Sequence, residues 1–157
     1  MASPYQLTSS SVVPTDPASA LQSLLDAPLE ELFPTRSGLI PPIRGCEGQD
    51  GSWGRVGQTR TVVLSDGSRN LETLTFLEAP GDYRYTLSDF TGPMRLLVRT
   101  VDGRFEFEPV AEGTRVTWSW AVHPTHAIAR LAFPALAASW RTMARGLWPR
   151  FRARVAT

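Results

Sequence analysis

Four residues, Glu72, Asp89, Tyr83 and Tyr85, are of the types and at the spacing that could do chemistry. Two neighbouring carboxylates titrate apart, so one can hold a proton while the other accepts one. A tyrosine hydroxyl beside them can orient a carbonyl or phenolic oxygen. The same residues also have a plainer use. A carboxylate at a solvated rim, or paired with arginine, and a tyrosine with one satisfied hydroxyl are ordinary structural features. Other chemistries fit less well. His123 and His126 are the only histidines, Cys46 is the only cysteine, and no spacing among them matches a metal site. Ser139 and Cys46 lack a triad partner. No metal and no cofactor is expected.

Whether these groups meet depends on the elements that carry them. A chain of 157 residues is expected to form one domain, residues 1–157. Tyr5–Val13 reads as a strand. Asp16-Pro17 is a helix start, since aspartate caps exposed N–H groups and proline is tolerated at the first helical position. Pro28 interrupts that helix, and Pro28–Phe33 reads as a second short one. Ile43–Glu47 suits an edge strand. An antiparallel meander follows: Thr59–Leu64, Arg69–Ala79, Tyr83–Phe90, Met94–Val101, Arg104–Val110 and Thr114–Val122. Its turns are expected at Asp66-Gly67, Pro80-Gly81, Asp102-Gly103 and Glu112-Gly113. The C-terminal segment covers the sheet. Leu136, Trp140, Met143, Leu147 and Phe151 form an apolar helical stripe, with a helix expected from Pro134 to Trp148 and a bend or stop at Pro149.

Two-residue turns fix a register. Val63 then lies opposite Asn70 and Thr61 opposite Glu72; Phe76 opposite Tyr85, Leu74 opposite Leu87 and Glu72 opposite Asp89; Phe107 opposite Trp118 and Phe105 opposite Trp120. Strand alternation gathers Leu74, Phe76, Tyr83, Tyr85, Leu87, Phe105, Phe107, Trp118 and Trp120 on one face. Pressed tightly against a helix, that face is an ordinary core. Held apart from it, the same face lines a cavity for a small apolar or aromatic molecule.

Charge is distributed unevenly. All 16 basic residues are arginine; residues 1–112 carry nine of them against all 15 carboxylates, and residues 113–157 carry the other seven with no carboxylate. Absence of lysine excludes Schiff-base chemistry and an ordinary phosphate-loop nucleotide site. The cationic C-terminal stretch shares its helix with the sheet-facing stripe, so a solvated outer face complementing the acidic remainder is favoured. Nucleic-acid binding is not expected, and peripheral membrane contact is the less favoured alternative. A lone cysteine and an N-terminal stretch without a basic, then apolar, leader suggest a reducing, cytoplasmic setting. No apolar run reaches 18 residues. Nothing in the pattern specifies an oligomer.

The order of elements resembles the START-like, or SRPBCC, superfamily, especially its polyketide cyclase/dehydrase and lipid transport branch. Within that frame the run from Glu72 to Tyr85 (ETLTFLEAPGDYRY) is similar to the family's glutamate strand and following tyrosine strand. Gly113–Trp120 (GTRVTWSW) is similar to its late Gly-Thr-x-Val-x-Trp strand. The resemblance implies an α+β helix-grip (Bet v 1-like) fold, in which a curved antiparallel sheet surrounds a long C-terminal helix and encloses a hydrophobic cavity. It implies a small hydrophobic, aromatic or lipid-like ligand, with Leu136, Trp140, Met143 and Leu147 completing the wall and Glu72 and Asp89 supplying polarity. The first alternative is a polyketide cyclase/dehydratase-like enzyme using acid/base chemistry, in which Glu72 would take a proton alpha to a carbonyl and Tyr85 or an arginine would steady the developing enolate. A protein-interaction or stress-response module is the second.

Overall fold

The computed structural model describes residues 3–156. Its strands are β1 (Tyr5–Val13), β2 (Ile43–Glu47), β3 (Thr59–Leu64), β4 (Arg69–Glu78), β5 (Asp82–Ser88), β6 (Val98–Val110) and β7 (Gly113–Pro124); its helices are α1 (Pro17–Asp26), α2 (Leu29–Leu32) and α3 (Phe133–Val155). Asp16 does cap α1, accepting the Ser19 N–H at 3.1 Å. Ala20, Leu21, Leu24 and Leu25 form that helix's buried face. The strands make one antiparallel sheet in the order β1-β7-β6-β5-β4-β3-β2, with β1 and β2 at its edges. This is an α+β helix-grip fold: the curved seven-stranded sheet wraps the long C-terminal helix.

Phe133, Leu136, Ala137, Trp140, Met143, Ala144, Leu147, Trp148 and Phe151 are the apolar residues that α3 buries. Of the bend or stop expected at Pro149, the stop is not made: the helix continues to Val155. Proline forfeits one helical N–H, but continuing the turn keeps Phe151 at 0% exposure, so tertiary packing outweighs the local defect. The helix runs for 23 residues, about 35 Å at 1.5 Å per residue. Its last arginines anchor it. Arg150 donates to the Leu32 carbonyl at 3.3 Å, Arg152 to Ser11 Oγ, and Arg154 pairs with Glu31 at 3.0 Å. Part of the cationic face therefore fastens α3 to α2 and β1.

The expected turn at Asp102-Gly103 is absent. Both residues lie inside the 13-residue strand β6, and the segment before it, Pro93–Leu96, is a 3-10 turn. Gly103 sits in mid-strand because a side chain needs its place. Tyr85 is its neighbour on β5 and Trp120 its neighbour on β7. The Tyr85 ring crosses directly over Gly103, where a Cβ would come within 2.0 Å of Tyr85 Cζ. A glycine inside a strand often marks such a close approach.

Candidate functional site

A one-residue difference in the first hairpin assembles the polar part of the site. The β3–β4 turn has three residues, Ser65, Asp66 and Gly67, rather than two: Leu64 N–H donates to the Ser68 carbonyl at 2.9 Å, and Gly67 N–H returns to the Leu64 carbonyl at 3.0 Å. Gly67 supplies the left-handed residue, φ +86°, that a three-residue loop requires. The register shifts by one, so Arg60, not Thr61, lies opposite Glu72, and Val62, not Val63, lies opposite Asn70. One residue of slip exchanges the faces of β3. Arg60 thereby enters the interior.

Arg60 and Glu72 form a buried, two-bonded ion pair: Nε to Oε1 is 3.1 Å and Nη2 to Oε2 is 3.2 Å, with side-chain exposures of 6% and 5%. Burying charges is costly unless the geometry is good and the remaining polar atoms are satisfied. Here the guanidinium stacks on Trp53 at 3.9 Å and Tyr83 Oη donates to Glu72 Oε2 at 3.2 Å. Trp53 Nε1 in turn donates to Tyr83 Oη at 2.9 Å. Burial, reinforced by the Glu72 charge, pushes the Tyr83 hydroxyl well above its ordinary pKa.

A second polar group lies farther along β5. Tyr85 Oη accepts the indole N–H of Trp118 at 2.8 Å and that of Trp120 at 2.9 Å. The expected centre of the last hairpin, Glu112-Gly113, is displaced to Ala111-Glu112, so Trp118 lies opposite Phe105 and Val116 opposite Phe107. The partner changes by two residues and the face is preserved. Phe105 and Trp118 stack with centroids 5.5 Å apart, and Trp118 meets Trp140 of α3 at 4.7 Å.

Between the sheet and the helices lies a cavity of about 400 Å³. β4 and β5 contribute Glu72, Tyr83, Tyr85 and Leu87 to its wall. β6 and β7 contribute Phe105, Trp118 and Trp120, and α3 contributes Leu136 and Met143. The Arg60–Glu72–Tyr83 group occupies the end beside Trp53. The exposed lining residues Arg36, Leu39, Asp66, Thr91 and Pro93 mark the mouth at the other end of these strands. Ser139 Oγ holds the rim by accepting the Leu39 N–H at 2.9 Å.

Six residues expected at the cavity lie elsewhere. Leu74, Phe107, Trp140 and Leu147 are buried in the core beyond its wall. A β-bulge between Leu74 and Phe76 reverses the alternation, so Leu74 faces Tyr85 and Phe76 faces Arg84. Phe76 then packs under the Arg84 guanidinium at 4.7 Å, away from the cavity wall. Asp89 follows the end of β5 with φ +54° and is exposed; Glu72 lies opposite Leu87 instead. The proposed carboxylate pair is therefore not formed. Asn70 shares the face of Glu72 on β4 whatever the turn length; Arg60 and Val62 are lining residues that the two-residue turn concealed. Their alternation with Leu64 becomes readable once the turn is counted as three residues.

The remaining reactive side chains are separate from the cavity wall. Burial pushes the Cys46 thiol up to about 11, which keeps it protonated and poorly nucleophilic at neutral pH. His123 pairs with Asp102 at 2.9 Å. Among the described residues, no group of three or more His, Cys, Asp or Glu side chains is arranged to hold a metal ion, and no helix is long and apolar enough to cross a membrane.

Comparison with known proteins agrees with this architecture. The family model described as polyketide cyclase / dehydrase and lipid transport matches residues 5–156. The crystal structure of Ara h 8.0201 is similar at 22% identity and TM-score 0.66, with 97% of each chain covered. Ginseng major latex-like protein 151 from Panax ginseng is similar at 15% identity and TM-score 0.60, over 93% of this chain and 99% of that one. Protein XoxI from Bacillus cereus is similar at 16% identity and TM-score 0.64, over 93% and 94%. At these identities the likeness is one of fold. No curated protein matches the chain.

Proposed function

This chain belongs to the polyketide cyclase/dehydrase and lipid transport family, and from that premise we infer that it binds a small hydrophobic, aromatic or lipid-like molecule noncovalently between sheet and C-terminal helix. The observation that carries this reading is the cavity itself. Protein interiors are close-packed, with few voids larger than a water molecule. A space of about 400 Å³ falls in the usual size range for small-molecule sites, and its wall is mainly aromatic and aliphatic. Apolar surface supplies affinity there, while a few fixed polar atoms orient the occupant.

Catalysis by Glu72 is disfavoured by its surroundings. Both carboxylate oxygens are engaged by Arg60, and one also accepts the Tyr83 hydroxyl. Proton abstraction would also leave the buried Arg60 without its counter-charge. Binding without covalent chemistry asks nothing of this kind.

Native mass spectrometry of protein freshly isolated from its source, followed by extraction under denaturing conditions, tests the reading. One apolar molecule per chain, released on unfolding, is the expected result. Protein that carries no such molecule and also fails to bind apolar aromatic compounds saturably would overturn it.

A further inference from the structure

Tyr85 has an asymmetric hydrogen-bonding state. A phenolic hydroxyl offers two lone pairs and one proton. The indole N–H groups of Trp118 and Trp120, at 2.8 and 2.9 Å, occupy the acceptor side. Neither indole can accept a bond in return, because indole nitrogen only donates. The hydroxyl proton has no acceptor among the described residues, although Tyr85 is only 7% exposed and lines the cavity. A buried donor without a partner is costly, so this proton favours an occupant that brings an acceptor into the cavity.

The arrangement is rigid. Tyr85 lies flat over Gly103, where any Cβ would collide with its ring, and Trp118 is stacked on Phe105 and packed at a tilt against Trp140. The hydroxyl consequently has a fixed position and a fixed polarity: it donates. Burial, with the Glu72 charge adding to it, raises the Tyr85 pKa far above the ordinary phenol value, so the proton stays in place. Arg60, the buried arginine of the wall, is already neutralised by Glu72; of the other lining arginines, Arg69 pairs with Glu47 and Arg36 is exposed at the mouth.

We propose that the Tyr85 hydroxyl, held by Trp118 and Trp120, is the specificity-determining donor of the cavity, and that its occupant is a neutral aromatic or alicyclic compound bearing a carbonyl oxygen. This rests on the binding reading above and narrows it to a chemical class. Pure hydrocarbons of the same shape leave the donor unmet. Carboxylates bring a charge that the paired Arg60 does not balance.

Three naphthalene probes separate these cases: 2-acetylnaphthalene, its isosteric alkene 2-isopropenylnaphthalene, and 2-naphthoate. Each is titrated against the full chain by quenching of tryptophan fluorescence. The ketone is expected to bind roughly tenfold more tightly than the alkene, the effect of one satisfied hydrogen bond. With ¹³C at its carbonyl, the bound ketone should also absorb at lower wavenumber than in hexane, a readout that needs no variant. In Tyr85→Phe the affinity ratio should fall to within about twofold and the band should return to its hexane position. Equal affinity of ketone and alkene for the wild type, with an unshifted carbonyl band, would overturn the proposal while leaving the binding reading intact. So would tighter binding of the naphthoate, or a preference that survives in Tyr85→Phe. Failure of all three probes to bind would overturn the binding reading, and this proposal with it.

Discussion

Replacing Gly103 by alanine tests the internal geometry of the site with a single methyl group. The new Cβ would lie 2.0, 2.3 and 2.5 Å from three Tyr85 ring atoms, where ordinary contact is 3.4–4 Å. The ring must therefore lift by about 1.5 Å, half the length of the bonds it makes to the two indoles. Losing two net hydrogen bonds at about 1 kcal/mol each, with two buried N–H groups left poorly paired, costs about 2–4 kcal/mol. Better strand propensity of alanine offsets less than about 1 kcal/mol of that. For a chain of this size the melting temperature should fall by roughly 3–12 °C, and urea unfolding followed by tryptophan fluorescence should show the same loss. The cost belongs to a contact, so it must depend on the partner. In a Tyr85→Ala background, Gly103→Ala should change stability by no more than about 0.5 kcal/mol, giving a coupling energy of at least about 2 kcal/mol. A single variant as stable as wild type, or a cost that is the same in both backgrounds, would refute the proposed crossing of ring over glycine.

Other perturbations address the groups around the cavity. Glu72→Gln should destabilise the protein by about 3–5 kcal/mol in chemical denaturation, because it strands the buried Arg60 charge; an Arg60→Leu/Glu72→Leu double variant should recover most of that loss. The Asp82 carboxylate is held below its ordinary pKa by Arg84, against the opposing effect of burial, with Arg104 assisting. A depressed folded-state pKa gives stability that is fully present above the unfolded value of 3.8 and lost as pH falls through the folded one. Unfolding free energies of wild type and Asp82→Asn should therefore converge as pH is lowered below that value. The Cys46 thiol runs in the opposite direction: native protein should be alkylated by iodoacetamide ever faster as pH rises from 9 towards about 11, whereas the unfolded chain should level off near 9. A native profile that levels off near 9 would contradict the burial of this thiol.

Local signals in the sequence carried much of the fold. Strand β1 and edge strand β2 have the expected bounds, and the Asp16-Pro17 start of α1 is formed as the capping chemistry requires. Where the outcome depended on counting, one residue mattered more than two. The last hairpin is displaced by two positions, so Phe105 and Trp118 kept their face despite changing partners. The first is displaced by one, which brought Arg60 inside and removed Thr61. Asp66-Gly67 is compatible with a two-residue or a three-residue loop, and only the hydrogen bonds from Leu64 N–H to the Ser68 carbonyl and from Gly67 N–H to the Leu64 carbonyl distinguish them. The bulge next to Leu74 carries no Gly or Pro marker, so nothing in Thr73–Phe76 announces that Phe76 turns outward. Asp102-Gly103 has the composition of a turn but serves a tertiary purpose, clearance for Tyr85. Periodicity predicted the buried stripe of α3 as far as Phe151, while the continuation of the helix itself past Pro149 depended on packing.

The central claim, that the cavity is a binding site for one apolar molecule, is most directly tested with N-phenyl-1-naphthylamine, a neutral fluorescent probe excited by energy transfer from Trp118 and Trp120. The wild type should bind one probe per chain saturably. Met143→Trp, which places extra volume on the α3 wall of the cavity, should weaken binding at least about tenfold, the loss of some 1.4 kcal/mol of contact, while near-ultraviolet circular dichroism confirms a folded chain. Probe uptake that never saturates, or that Met143→Trp leaves unchanged, would contradict the account.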